Sequence, residues 1–211
     1  DLNLEFVMSS FSTEKNMNKA SLYAKKGKLE QASNLFSEIL TKFPKNLRAR
    51  NGLINTHEIM VSDYKKELLL FYKENKYSEI ISLGTKLTKK FTHSYFVWDI
   101  LGASFLNQGS FDNAIWAYEK LISLNEYYPE AYINLGQALH AINRYNDAIK
   151  NYNKGISLKP KHIDVYYYLG MSLEAVNNTE EAIINYKKTI KLNSNHAKSF
   201  FILANIFHLE Q

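Results

Sequence analysis

The chain of 211 residues is 45% hydrophobic and 22% charged, the balance of a folded protein. Eight Gly and three Pro are too few for a turn-rich β-sandwich or barrel, and with no Cys there can be no disulfide scaffold, thiolate zinc site, iron–sulfur cluster or cysteine nucleophile. The net charge of +5 is almost entirely Lys, with only Arg48, Arg50 and Arg144, so base readout and nucleic-acid binding are not expected. The excess is uneven: residues 1–94 hold 16 basic and 10 acidic side chains, and residues 95–211 hold 10 and 11. The longest apolar run, Phe200 to Phe207, is well short of the ~18 residues of a membrane span, so no membrane partner is expected.

A period of 34 residues organises the sequence. Leu101-Gly102, Leu135-Gly136 and Leu169-Gly170 recur at that spacing, followed by Leu203-Ala204, while Ala114, Ala148 and Ala182 each precede Tyr118, Tyr152 and Tyr186 by four residues. In chain order, residues 1–12 are an N-terminal extension. Residues 13–46 form a first hairpin, with Ala20 and Tyr23 at positions 8 and 11 and Ala32, Phe36, Ile39 and Pro44 at positions 20, 24, 27 and 32. The 14 residues Leu47 to Met60 read as an extra first helix with no second helix after it. Either 47–74 is one long helix or it breaks; a break is expected, with Ser62 or Asp63 as N-cap.

Residues 61–94 are a degenerate repeat, carrying Glu67 and Gly84 where apolar or aromatic residues are usual. Residues 95–196 hold three well-matched repeats, with helices predicted near 96–108, 111–124, 130–142, 145–158, 164–176 and 179–192. Positions 4, 7, 8 and 11 make one apolar stripe, which includes Trp98, Tyr132, Tyr166 and Phe200 at position 4. Gly102, Gly136 and Gly170 at position 8, with Ala114, Ala148 and Ala182 at position 20, are small so that two helices can approach closely while aromatics at 4 and 24 fill the flanks. Residues 197–211 read as the first helix of a truncated repeat. There Phe200, Leu203 and Phe207 should face the preceding hairpin, and Phe201, Ile202, Ile206 and Leu209 should point elsewhere, an apolar edge suited to self-association.

These residues resemble the tetratricopeptide repeat. Trp98, Leu101, Gly102, Phe105, Ala114 and Tyr118 fall on its signature positions, as do Tyr132, Leu135, Gly136, Leu139, Ala148, Tyr152 and Pro160, and Tyr166, Leu169, Gly170, Leu173, Ala182 and Tyr186. The resemblance implies an all-α, right-handed α-solenoid of helix–turn–helix repeats that binds a protein or an extended peptide. It also places positions 2, 5, 6, 9, 12 and 13 of the first helices on the concave side. Similar arrays precede sulfotransferase, glycosyltransferase and dioxygenase domains in bacterial proteins. The alternative reading is therefore the recognition or assembly region of a larger enzyme, in keeping with Asp1 and with Gln211 inside an unfinished repeat. A bacterial source and the cytoplasm are the expected setting.

No catalytic chemistry is legible. GxGxxG, P-loop, GxSxG and HExxH patterns are absent, and the six His lack ligand spacing, so no cofactor or metal is expected and the chain is read as non-catalytic. The column His140, Glu174 and His208 at position 12 spans successive helices about 8–10 Å apart, too far to share an ion with ~2 Å bonds. The binding positions are Asp99, Glu130, Asn134, Gln137, Asp164, Tyr167, Tyr168, Met171 and Glu174, an acidic and aromatic set opposed only by Lys198; in the degenerate repeat they are Lys65, Lys66 and Lys73. The groove is expected to change sign along its length. A carboxylate clamp is not expected, because only Asn134 resembles one of its residues.

Overall fold

The computed structural model describes the backbone of residues 2–209 and the side chains of residues 12–206 and of His208. Twelve α-helices and no strand lie among the described residues. The chain divides into two compact units, residues 1–97 and 98–211.

In the N-terminal unit, α1 (Leu2–Lys25) and α2 (Leu29–Lys42) form the first hairpin, and α3 (Leu47–Met60) packs on α2. Residues 2–12 are continuous with α1, so the expected extension is part of the first helix. The core here is Met17, Ala20, Ala32, Phe36, Ile39, Ala49 and Leu53. The break before α4 (Ser62–Lys73) is real, but neither Ser62 nor Asp63 caps it. The residue between the helices is Val61, itself in right-handed helical conformation and fully buried, and its backbone N–H still donates to the His57 carbonyl at 2.9 Å. A buried apolar side chain at the junction holds the bend, so no polar cap is needed. Helix α4 makes its hairpin with α5 (Tyr77–Lys90).

Glu58 on α3 reaches forward to the start of α6 (Tyr95–Asn107). Its carboxylate accepts from Ser94 Oγ at 2.9 Å and from the Phe96 N–H at 3.1 Å, satisfying a donor that a helix N-terminus leaves free. Beside it, His57 Nδ1 accepts the His93 N–H at 3.2 Å, so Nε2 carries the proton and donates to Ser33 Oγ at 2.9 Å.

In the C-terminal unit, α7 (Phe111–Leu124), α8 (Pro129–Ala141), α9 (Tyr145–Leu158), α10 (Ile163–Ala175), α11 (Thr179–Leu192) and α12 (Ala197–Leu209) follow in sequence, each first helix packing on the second helix before it. The predicted boundaries agree to within one residue. Each 34-residue hairpin turns through one left-handed residue at its fifteenth position. Gly27, Asn75, Gly109, Asn143 and Asn177 have φ between 57° and 72°, a region that Gly and Asn enter more readily than other residues.

Packing refines the predicted stripe in two ways. The small residue at position 8 makes room for a ring rather than for a helix backbone: Tyr118, Tyr152 and Tyr186, all buried, lie over Gly102, Gly136 and Gly170. Positions 3 and 10 are also buried in successive first helices, as Val97 and Ser104, Ala131 and Ala138, Val165 and Ser172, and Ser199 and Ile206. Ile206, expected to point away, is therefore part of this second buried line. Phe200, expected to face inward, is 50% exposed. Position 4 is covered by the second helix of its own hairpin elsewhere, and none follows α12 among the described residues. The side chains of Phe207 and Leu209 lie outside the described residues.

Candidate functional site

The expected binding positions lie on the first helices α6, α8 and α10, and the structure separates them by state. Asp99 is half-buried and its Oδ2 accepts the Tyr128 hydroxyl at 3.1 Å. Burial pushes its carboxyl up to about 6, helped by the nearby Glu130 and opposed by the Tyr128 bond. Glu130 pairs with Lys159 Nζ at 2.6 Å, which holds it below the usual carboxylate range despite partial burial. Lys159 thus offsets one of the negative charges expected on this face. Lys159, in the turn after α9, falls on no first helix and was missed by counting first-helix positions alone. Asp164 and Glu174, both exposed, remain as open negative charge, although Glu174 Oε2 accepts the Tyr186 hydroxyl at 2.9 Å.

Between these charges the face is aromatic and amide-bearing. Gln137 and Met171 at position 9 and Tyr168 at position 6 line a pocket of about 240 Å³ together with Leu106, Phe111, His140 and Tyr152. Tyr168 stacks on Tyr152 with ring planes 19° apart, and His140 Nδ1 hydrogen-bonds Ser172 Oγ at 2.7 Å, which fixes both rings at the rim. Tyr167 turns the other way, against His196 at a centroid distance of 4.9 Å, and borders a second, open depression with Lys198, Phe201 and Ile202. Tyr167 and Tyr168 therefore serve different surfaces. Asn134 is half-buried and lines neither.

The packing residues Trp98, Gly102, Ala114, Gly136, Ala148, Gly170 and Ala182 are all buried and lie behind this face. In the N-terminal unit, Lys65 is engaged, its Nζ 2.8 Å from Glu58 and 5.0 Å from the centroid of the Phe96 ring, whereas Lys66 and Lys73 are exposed. Among the described residues no group of His, Asp and Glu could hold a metal ion, and no helix is long and apolar enough to cross a membrane. His140, Leu106 and Phe111 were not among the expected site residues. Position 12 would have identified Leu106 and His140; Phe111, at position 17 on a second helix, carried no signal.

No curated protein sequence matches the chain. Solved structures do. The crystal structure of MamA has a TM-score of 0.56 at 24% identity over 88% of this chain and 94% of that one. YrrB, described as a tetratricopeptide protein with an unusual peptide-binding site, gives 0.60 at 18% identity over 90% of each chain. The first tetratricopeptide domain of Spaghetti (RPAP3), solved with the HSP90 peptide SRMEEVD, gives 0.53 at 23% identity over 55% of this chain and 91% of that one. Profiles for the TPR repeat match residues 102–143 and 136–177, and one for the tetratricopeptide repeat matches 163–196. With the glycine–tyrosine packing repeated through the same stretch, residues 102–196 are tetratricopeptide repeats, and the chain as a whole has the all-α helical-repeat fold of those solved structures.

Proposed function

We propose that the chain is a non-catalytic interaction scaffold, and that the first-helix face of the C-terminal unit receives a partner polypeptide. The observation that carries this reading is the pocket formed by Gln137, His140, Tyr168 and Met171 with Tyr152 behind it. Its volume of about 240 Å³ is below the range of small-molecule sites and suits one large side chain. Anchors of this kind, an aromatic or aliphatic side chain in a desolvated hollow, dominate interface energetics. Gln137 supplies a donor and an acceptor for the partner's backbone beside the anchor. The exposed Asp164 and Glu174 on the same helix favour a partner with Lys or Arg next to that anchor, and speed its approach at low salt. That YrrB and the RPAP3 domain share this fold and take peptides is in keeping with the reading.

Selection of peptides from a random display library on the full chain tests it. The expected consensus is a large apolar residue flanked by basic ones. Tyr168→Ala and Met171→Ala should each weaken binding of a selected peptide by about tenfold or more. Asp164→Lys with Glu174→Lys should reduce its salt dependence. Selected peptides that bind Tyr168→Ala and Met171→Ala as tightly as the parent would remove this face from the mechanism.

A further inference from the structure

A second site lies in the N-terminal unit, where the 34-residue register is interrupted. Arg50 stands at position 4 of α3, the place of Trp98, Tyr132 and Tyr166 in the regular repeats. Each of those aromatics is met by its own hairpin's second helix: Trp98 by Trp116 at 5.0 Å between ring centroids, Tyr132 by Lys154 Nζ at 5.9 Å, and Tyr166 by Lys188 Nζ at 5.8 Å. Helix α3 has no second helix, since α4 begins one residue after it and pairs with α5. The side of α3 that carries Arg50 is left as an open pocket of about 390 Å³, within the range of small-molecule sites.

The lining has two kinds of chemistry. Leu40, Pro44 and Leu53 make an apolar floor, and Ser37, Thr41, Arg50 and His93 provide polar groups. Arg50 uses one N–H on the Pro44 carbonyl at 3.1 Å and forms no ion pair among the described residues, so most of its five donors remain available. His93 stands close enough for the guanidinium, after burial, to depress its pKa, and no carboxylate lines the pocket to offset either group. A planar guanidinium fork above an apolar floor matches one chemistry well: a carboxylate held bidentately, joined to a hydrocarbon body.

We propose that this pocket binds a small organic acid, its single carboxylate paired with Arg50 and its apolar body resting on Leu40, Pro44 and Leu53. An uncharged analogue would leave the guanidinium unpaired and desolvated, and inorganic phosphate would leave the floor uncovered. Both should bind more weakly.

Phenylacetate, phenylacetamide and inorganic phosphate, titrated separately into the full chain and followed by amide chemical shifts, test the assignment. Phenylacetate should saturate with a Kd of about a millimolar or tighter, and the amide and phosphate should each bind about tenfold more weakly. The shifts should centre on Arg50, Leu53 and His93. Arg50→Gln should weaken phenylacetate by about tenfold or more, and Lys86→Gln, an exposed lysine outside the pocket, should leave it unchanged. If Arg50→Gln does not fold, Arg50→Lys keeps the charge and loses the fork, and should still bind several-fold more weakly. The proposal is overturned by equal affinity for acid and amide, by phosphate matching phenylacetate, by no saturation up to about 20 mM, by unchanged binding in the Arg50 variants, or by shifts centred on Gln137 and Tyr168.

Discussion

The ring of Tyr152 lies 2.5 Å from the point where a β-carbon on Gly136 would sit, and Tyr186 repeats that distance over Gly170. No side chain fits beneath a ring at that separation, so position 8 and position 24 are chosen together. Gly136→Leu should cost about 1–3 kcal/mol through displacement of the buried ring, and lower the melting temperature. Adding Tyr152→Leu to that variant should recover part of the loss, as expected for residues in direct contact. A melting curve for Gly136→Leu equal to the parent's would refute the pairing.

The degenerate repeat reverses this pairing of sizes. It has Leu68 at position 8 and Gly84 at position 24, both buried, where the regular repeats have Gly and Tyr. Gly84→Tyr alone should therefore overpack the hairpin and destabilise by about 1–3 kcal/mol. The double variant with Leu68→Gly should be more stable than Gly84→Tyr alone, even with the ~1 kcal/mol that a helical Gly costs. A double-mutant cycle by chemical denaturation, showing no coupling, would mean that the two positions are independent.

Much of the architecture was legible because the period of 34 carries large, apolar, repeated side chains. What escaped has a common physical cause. The buried line at positions 3 and 10 is built from Ser104, Ala138, Ser172 and Ser199 as well as valines, and small or hydroxylated residues leave no hydrophobic signal. Ser104 Oγ is satisfied within its own helix by the Ile100 carbonyl at 2.7 Å, which makes a buried polar residue inexpensive there. The site was legible as a set of positions and not as a set of states. Whether Glu130 is a free charge depends on Lys159, 29 residues away in a turn, and the hydroxyl that Asp99 accepts comes from Tyr128, also 29 residues away.

His57 should make the N-terminal unit sensitive to mild acid. It is 3% exposed, and burial, followed by the neighbouring His93 and against a smaller pull from Glu58, holds its pKa down at about 4. An unfolded histidine titrates near 6.5, so the unfolded chain takes up the proton first as pH falls. The contribution to stability is complete above about 6.5 and is lost progressively down to about 4, up to about 3 kcal/mol. Ser33, Phe91, His93 and Glu58 face the ring, and Glu58, itself held below its usual pKa, adds a loss of the same sign at lower pH. Urea denaturation at pH 7.5 and 5.0 should show the drop in the parent, and His57→Gln should flatten it.

The last helix presents Phe200 and Phe201, 50% and 68% exposed, while Leu203 and Ile206 are buried beneath it. Two adjacent aromatic side chains in water favour association of copies through this edge. Sedimentation of the chain from about 5 to 200 μM should show mass rising with concentration, and Phe200→Ser with Phe201→Ser should abolish the rise without lowering the melting temperature. A strictly monomeric parent over that range would leave the edge without this role.

Helix α3 occupies 14 residues between two repeats that otherwise keep a common register, so it can be excised without a frame change. Joining Asn46 directly to Val61 would place residues 61–94 one period after residues 13–46, as in an uninterrupted tandem array. The insert carries Arg50, His57 and Glu58 together, the pocket's cation, the acid-sensitive histidine and the cap of α6. A shortened chain that still folds would be an acid-tolerant scaffold with its anchor pocket intact and its second pocket erased. The inserted helix would then be a cassette, added to the repeats along with the properties that set this chain apart from a plain array of hairpins.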